Sequence, residues 1–237
     1  MKKFLTITIA AIASTTLFAQ QPTIKDPNAQ PREAKGFHAI RISHSFDVYL
    51  TQSNEEGVAV SASDPKYISE IKTEVKDGEL RISLTEGKWK WNSSRMKLKA
   101  YVSFKDIDKI NISGACDVNI IGTLKANDLK VILSGASDIE GRIEANDLSF
   151  NLSGASDVKI SGSATKVNID GSGASSFKGF DFAVDYCNAH VSGASDIKIT
   201  VNKELSARAS GASDINYKGE GLIRDIKTSG ASSVTKT

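Results

Sequence analysis

One six-residue phrase recurs through the second half of the chain and limits what that half can become. It reads Ser113-Gly114-Ala115-Cys116-Asp117-Val118, then Ser134-Gly135-Ala136-Ser137-Asp138-Ile139. It returns over residues 153–158, 172–177, 192–197, 210–215 and 229–234, with serine-to-serine gaps of 21, 19, 19, 20, 18 and 19. A fixed period near 20 residues marks a solenoid, in which each repeat stacks on the one before.

The apolar pattern decides between helix and strand. Five residues after each phrase serine stand Val118, Ile139, Val158, Phe177, Ile197, Ile215 and Val234. One and three residues before it stand Ile112 and Ile110, Leu133 and Val131, Leu152 and Phe150. This is a period of two, the mark of strands with one buried face. Val, Ile and Phe favour strands, and no repeat contains proline. A repeat this short has no room for two helices and their turns. The expected fold is all-β, a parallel β-helix of about seven coils.

Coils that pair at about 4.8 Å bring equivalent residues into columns. Gly permits a bend or positive φ in the Ser-Gly-Ala part, where a large residue would collide with the next coil. The slot three after the serine holds Cys116, Ser137, Ser156, Ser175, Ser195, Ser213 and Ser232. By parity it shares a side with the apolar slot, so it is tight and partly buried. The next slot holds Asp117, Asp138, Asp157, Asp196 and Asp214, with Ser176 and Ser233 in the other coils. Stacked carboxylates repel, and Lys159, Lys178 and Lys198 two residues on lower that repulsion. Bonds from local turn amides would also steady these carboxylates. One carboxylate per coil falls short of the six to eight oxygens of a calcium site.

Residues 36–104 form an irregular β-rich cap with the first coils, and residues 105–237 the repeat β-helix. Alternation runs through Ile40, Ile42, Phe46, Val48 and Leu50, and again through Met96, Leu98, Ala100, Val102 and Phe104. Asp77-Gly78 is a hairpin turn signal, and residues 65–70 read as a short helical turn. Met1-Lys2-Lys3 followed by an uncharged apolar run to Phe18 and a small Ala19 reads as a signal peptide over residues 1–19. Residues 20–35 carry three of the four prolines and read as a flexible leader. The chain is expected to be exported to the periplasm, cell surface or exterior, and not to span a membrane. The last coil lacks a cap in the sequence and is expected to fray or to contact a second copy, giving a homo-oligomer.

Chemistry is sparse. A net charge of +2 argues against nucleic acid as a partner. Cys116 and Cys187 lie more than three coils apart in different slots, so two free, buried thiols are expected. His38, His44 and His190 lack metal-motif spacing, although His38 and His44 are near enough in sequence to approach each other. No cofactor or metal is implied. Serines present in seven equivalent copies behave as structural residues, whereas a nucleophile needs one unique base. One stretch breaks the pattern: Lys88, Trp89, Lys90, Trp91 and Arg95 gather at an expected hairpin tip. Either the tryptophans stack on a sugar or meet an anionic surface beside these cations, or they pack inward as a cap.

The Ser-Gly-Ala-Ser-Asp phrase, the signal peptide and the strand from Gly36-Phe37 to Ile40 resemble the head GIN domain family, described as auto-transporter adhesins of Bacteroidetes-type bacteria. The resemblance covers residues 36–234 and implies a right-handed parallel β-helix and export. It supplies no catalytic or binding residues. The function expected is a non-enzymatic interaction protein, an adhesin or cell-envelope scaffold, with a cell-surface glycan or protein as partner. The alternative is a β-helix that binds or cleaves polysaccharide.

Overall fold

The computed structural model describes residues 26–85 and 96–237. The signal peptide expected at 1–19 and the Lys88–Arg95 patch lie outside them. The elements in chain order are β1 (Gln30–Arg32), β2 (Ala39–Ile42), β3 (Asp47–Gln52), β4 (Gly57–Ala62), a 3-10 turn (Pro65–Glu70), β5 (Ile71–Lys76), β6 (Glu79–Leu84), β7 (Leu98–Phe104) and β8 (Lys109–Gly114). The repeats supply β9 (Asp117–Gly135), β10 (Asp138–Leu152), β11 (Asp157–Gly171), β12 (Ser176–Val191), β13 (Asp196–Gly211), β14 (Asp214–Lys218), β15 (Leu222–Gly230) and β16 (Ser233–Lys236).

The fold is a parallel β-solenoid. Each long strand from β9 to β13 bends around most of one coil and pairs in parallel with the next. Val118, Ile139, Val158, Phe177, Ile197 and Ile215 stack in one register and are all buried. Ile110, Val131, Phe150, Ile169, Ala189 and Ala207 form a second buried column. These columns make one continuous apolar core along the axis. Its Phe150 and Phe177 rings meet edge to face, 5.1 Å apart.

The phrase forms the tight corner. The Ser137, Ser156, Ser175, Ser195 and Ser213 side chains are buried. Ser156 Oγ donates to the Ser153 carbonyl at 2.9 Å, and Ser195 Oγ to the Ser192 carbonyl at 3.0 Å. Ser175 instead bonds the Ser195 hydroxyl at 3.1 Å and Ser213 the Gly193 carbonyl of the preceding coil at 3.3 Å, while Ser137, like Ser156 and Ser195, closes its own turn; each bond offsets the cost of burying the hydroxyl. Cys116 makes the same contact with its thiol, 3.7 Å from the Ser113 carbonyl. Both cysteines are free and buried, and burial pushes the thiols up to about 11 for Cys116 and about 12 for Cys187.

Glycine is required at this corner because the coils touch there through backbone. Gly193 has φ +81°, and a Cβ on it would lie 2.5 Å from the Gly173 carbonyl oxygen. That same oxygen accepts the Ala194 N–H at 2.8 Å. The obstacle is therefore the backbone of the preceding coil, not the side chain of its copy.

The N-terminal region is more regular than its sequence. Ile42 pairs with Ile112, Asp47 with Asp117 and Val48 with Val118. Ser43-His44-Ser45-Phe46-Asp47-Val48 is therefore one more copy of the phrase, with His44 in the glycine slot at φ 86°. The His44 carbonyl accepts the Ala115 N–H at 2.6 Å, and Phe46 fills the buried slot held in the other copies by Cys116 or serine. The order of layers departs from chain order. β2 lies between β6 and β8, and β3 between β7 and β9. From β2 and β3 in the second layer the chain steps outward to build the first, then returns to continue the stack.

Antiparallel pairs close that first layer: β5 on β6, β4 on β7, and β1 on β4. Part of the stretch expected to be a flexible leader thus belongs to the fold. Asp26 accepts the Tyr101 hydroxyl at 2.8 Å, and Ala34 is buried. Burial alone would raise the Asp26 carboxyl, but hydrogen bonds led by Tyr101 and the nearby Lys99 hold it below its usual range. The Asp77-Gly78 turn joins β5 to β6, with both residues at positive φ.

Gly193→Ala is expected to cost about 3 kcal/mol, from left-handed strain and backbone collision together. Gly122→Ala, with φ +80° but open space around its Cβ, is expected to cost about 1 kcal/mol. Urea melts measure both, and equal losses would contradict backbone contact as the reason for the glycine column.

Candidate interaction surface

The outward slots of each coil stack as regularly as the inward ones. One outward column runs Asp47, Asp117, Asp138, Asp157, Ser176, Asp196, Asp214 and Ser233. The neighbouring column runs Tyr101, Tyr49, Asn119, Glu140, Lys159, Lys178, Lys198 and Asn216. Its character changes along the axis: aromatic beside the cap, acidic at Glu140, then basic over three rungs. Tyr49 and Tyr101 stack with ring centroids 5.1 Å apart.

Bonds between coils temper the acidic column. Asp138 accepts the Asp157 N–H of the next coil at 3.2 Å, and Asp214 accepts the Ser233 hydroxyl. The amide that Asp138 binds belongs to the next coil, not to its own turn. Lys178 reaches back to Asp157 at 2.8 Å. Burial, with Asp157 and Asp117 above and below, raises the Asp138 carboxyl above its usual value despite the Asp157 amide.

Beyond the lysines the wall turns a corner that does not repeat. Register shifts fall there between Glu140 and Arg142, between Lys159 and Gly162, and between Gly179 and Ala183. Much of the difference in coil length is absorbed at this corner, where no phrase is stacked, with further shifts between Val184 and Tyr186 and between Leu205 and Ser206. The result is an open groove of about 690 Å³, within the size range of small-ligand clefts. Ile121, Arg142, Lys159, Lys178, Phe180 and Lys198 line it. Ile121 is 44% exposed, and Lys218 lies over the Phe180 ring at 4.3 Å. The sequence reading missed this groove. Its one visible signal was the scatter in coil length.

A second, shallower cleft gathers Asp170 and His190 from adjacent coils beside Ser153, Ser172 and Ser192. Residue types alone suggest a nucleophile relay. The Ser172 hydroxyl, however, donates to the Leu152 carbonyl at 3.3 Å. No hydrogen bond among the described residues links Asp170, His190 and a serine, so the relay geometry is not assembled. His38 pairs with Asp108 at 2.9 Å, while His44 bonds Ser43 at 3.1 Å; the two histidines make separate contacts. Among the described residues no three His, Cys, Asp or Glu side chains are grouped to hold a metal ion. No described helix is long and apolar enough to cross a membrane. Lys88, Trp89, Lys90, Trp91 and Arg95 fall between β6 and β7, outside the described residues.

The family model described as "Putative auto-transporter adhesin, head GIN domain" matches residues 36–221. The chain belongs to this head GIN domain family. Among solved structures, a putative adhesin from Bacteroides fragilis aligns with TM-score 0.79 at 22% identity, covering 88% of this chain and 96% of that one. A protein titled a putative lipid binding protein, from Parabacteroides distasonis, aligns with TM-score 0.65 at 19% identity, covering 90% and 98%. A putative adhesin from Parabacteroides merdae aligns with TM-score 0.62 at 17% identity, covering 88% and 95%. At these identities the likeness establishes the fold. No curated relative matches the chain.

A raised carboxyl loses stability as pH climbs from its ordinary value, 3.8, through its folded value, because ionisation is harder in the folded state. Asp138→Asn keeps an acceptor for the Asp157 amide and removes the charge. It is expected to stabilise the fold at pH 7 by about 0.5 kcal/mol or less, given solvent screening. The gain should vanish once the carboxyl is protonated in both states. Thermal melts across pH check this, and destabilisation at pH 7 would contradict it.

Proposed function

We propose that the head GIN domain protein is exported and works as a non-enzymatic interaction module, an adhesin or cell-envelope scaffold, that offers its side wall to a cell-surface glycan or protein. The observation that carries this reading is the groove beside Lys159, Lys178 and Lys198, where three cations in consecutive coils flank exposed Ile121 and half-buried Phe180. Such a surface holds an extended partner through many weak contacts, without the one unique site that catalysis needs. The Lys-Lys start and apolar run of residues 1–19 support export. The buried phrase serines, engaged with their own turns or with the adjoining coil, support a structural role for those hydroxyls. Contact with a second copy through the C-terminal coil belongs to the same reading.

Lys88, Trp89, Lys90, Trp91 and Arg95 are proposed as a second contact, because tryptophans beside cations suit a sugar or an anionic surface. The alternative function is binding or cleavage of polysaccharide along the wall, with the Asp170 and His190 cleft as the place to look.

A glycan array and whole-cell binding assay, run with a hydrolysis assay, tests these readings. Retention without release of oligosaccharide is expected, with at least a tenfold loss in a Lys159→Ser, Lys178→Ser, Lys198→Ser variant that keeps its melting temperature. Binding unchanged in that variant would remove the groove, and binding unchanged in Trp89→Ala, Trp91→Ala would remove the tryptophan patch. Release of oligosaccharide would overturn the non-enzymatic reading.

A further inference from the structure

The first two layers carry a charge cluster that belongs to neither the lysine groove nor the Asp170 and His190 cleft. Arg81 of β6 and Arg41 of β2 stand opposite each other in register. At the coil spacing of about 4.8 Å, like charges placed this way repel. Glu79, two residues before Arg81 and on the same face, holds them together. Its Oε2 accepts the Nε–H of Arg41 and the Nε–H of Arg81, each at 2.9 Å. Lys109 Nζ lies 3.7 Å from the other oxygen, Oε1. Glu79 itself is buried, so the bridge is screened little by water.

The bridge leaves positive charge in excess. Three cations meet one carboxylate. Nearby acids are engaged elsewhere: Glu74, in register with Arg81, pairs with Lys72 at 2.9 Å, and Asp108 pairs with His38 at 2.9 Å. Lys130 stacks on Lys109 in the next coil and adds a further cation. Glu79 takes only the Nε–H of each guanidinium. No hydrogen bond among the described residues engages the Nη groups of Arg41 or Arg81, and the two side chains are 46% and 34% exposed. Both Nε atoms touch one oxygen, so the two forks are held side by side before any ligand arrives.

We propose that the Arg41 and Arg81 guanidiniums form an anion site that takes a tetrahedral oxyanion, the phosphate or sulfate group of a cell-surface polymer, with Lys109 and Lys130 adding to its positive field. Guanidiniums bind such groups through paired N–H donors. Two forks already fixed by a buried carboxylate avoid much of the cost of ordering long side chains on binding. A neutral sugar would leave the excess charge uncompensated. That the group is carried on a cell-surface polymer rests on the exported interaction module proposed above; anion binding itself does not. The site shares no residue with the lysine groove, so its failure would leave the groove untouched.

NMR of the Arg41 and Arg81 Nε–H signals in the full chain reads the site directly, because their bonds to Glu79 slow exchange with water. Inorganic phosphate and inorganic sulfate are titrated separately, against sodium chloride at matched ionic strength. Both signals should shift to saturation with phosphate or sulfate and stay in place with chloride; the anion that saturates first is the group the site takes. Arg41→Lys keeps a charge beside Glu79 but removes one fork, and should weaken the Arg81 response at least threefold at an unchanged melting temperature. Arg81→Lys, read at Arg41, makes the same test from the other side. The Lys159→Ser, Lys178→Ser, Lys198→Ser variant should respond like the natural chain. Shifts that rise without saturating, and equally in all three salts, show charge screening only and overturn the site. Arginine variants that bind like the natural chain overturn the paired forks, and a response lost in the triple lysine variant places the anion in the groove and overturns the site as well.

Discussion

The whole stack rests on one backbone contact, repeated once per coil. The phrase glycine sits at positive φ against the carbonyl of the coil before it, and the following alanine N–H bonds that carbonyl. No side chain fits between them. Coil spacing, corner position and register are fixed together, because a slip of one residue would drive a Cβ into the neighbouring backbone and turn every apolar residue outward. The serine three residues after the phrase's first then closes the turn from inside in four coils and bonds the adjoining coil at Ser175 and Ser213, and the core columns follow from the register the corner sets.

The same constraint explains where variation is tolerated. The phrase corner is nearly invariant from coil to coil, and the corner beyond the lysines takes up much of the difference in length, the rest falling after Val184 and after Leu205. A surface that varies while its scaffold repeats is suited to recognition, since side chains there can change without disturbing the stack. The charge columns obey the scaffold too: Asp138, Asp157 and Lys178 meet because register aligns them, and cross-coil bonds reduce a repulsion that spacing imposes. At the first layer Glu79 does similar work. Burial alone would raise its carboxyl, but Arg41 and Arg81, each at 2.9 Å, and nearby Lys109 hold it low. Its ion pairs therefore stabilise the layer above the ordinary carboxylate range and are lost as pH falls through the depressed value.

Where the phrase was literal, the fold was legible in the chain. Period-two alternation around seven copies yields strands, parallel stacking, the buried serine slot and the two unpaired cysteines. The turn at Asp77-Gly78 and the helical turn at Pro65–Glu70 were legible from local chemistry alone. The copy at Ser43–Val48 was hidden because histidine replaces its glycine and phenylalanine its inner serine. Those substitutions are possible because a layer built from β6 and β7, not another phrase, lies on its outer side. The layer order was beyond reach, since nothing local in β6 or β7 says that they stack outside a strand preceding them. The groove was equally hidden: Ile121, Arg142 and Phe180 come from different coils and share no motif, and only register shifts bring them together.

The most direct test of the stacking is a set of spin-label distances between exposed members of the aspartate column. Asp47 and Asp157 are separated by three coil spacings, about 14 Å. Asp138 and Ser233 are separated by five, about 24 Å, although they are closer in sequence. With cysteine at each pair in turn, and the native thiols replaced, the first distance should be clearly the shorter. A first distance equal to or longer than the second would show that the Ser43–Val48 copy does not lie on the coil at Asp117, and would contradict the backbone column from which the fold is derived.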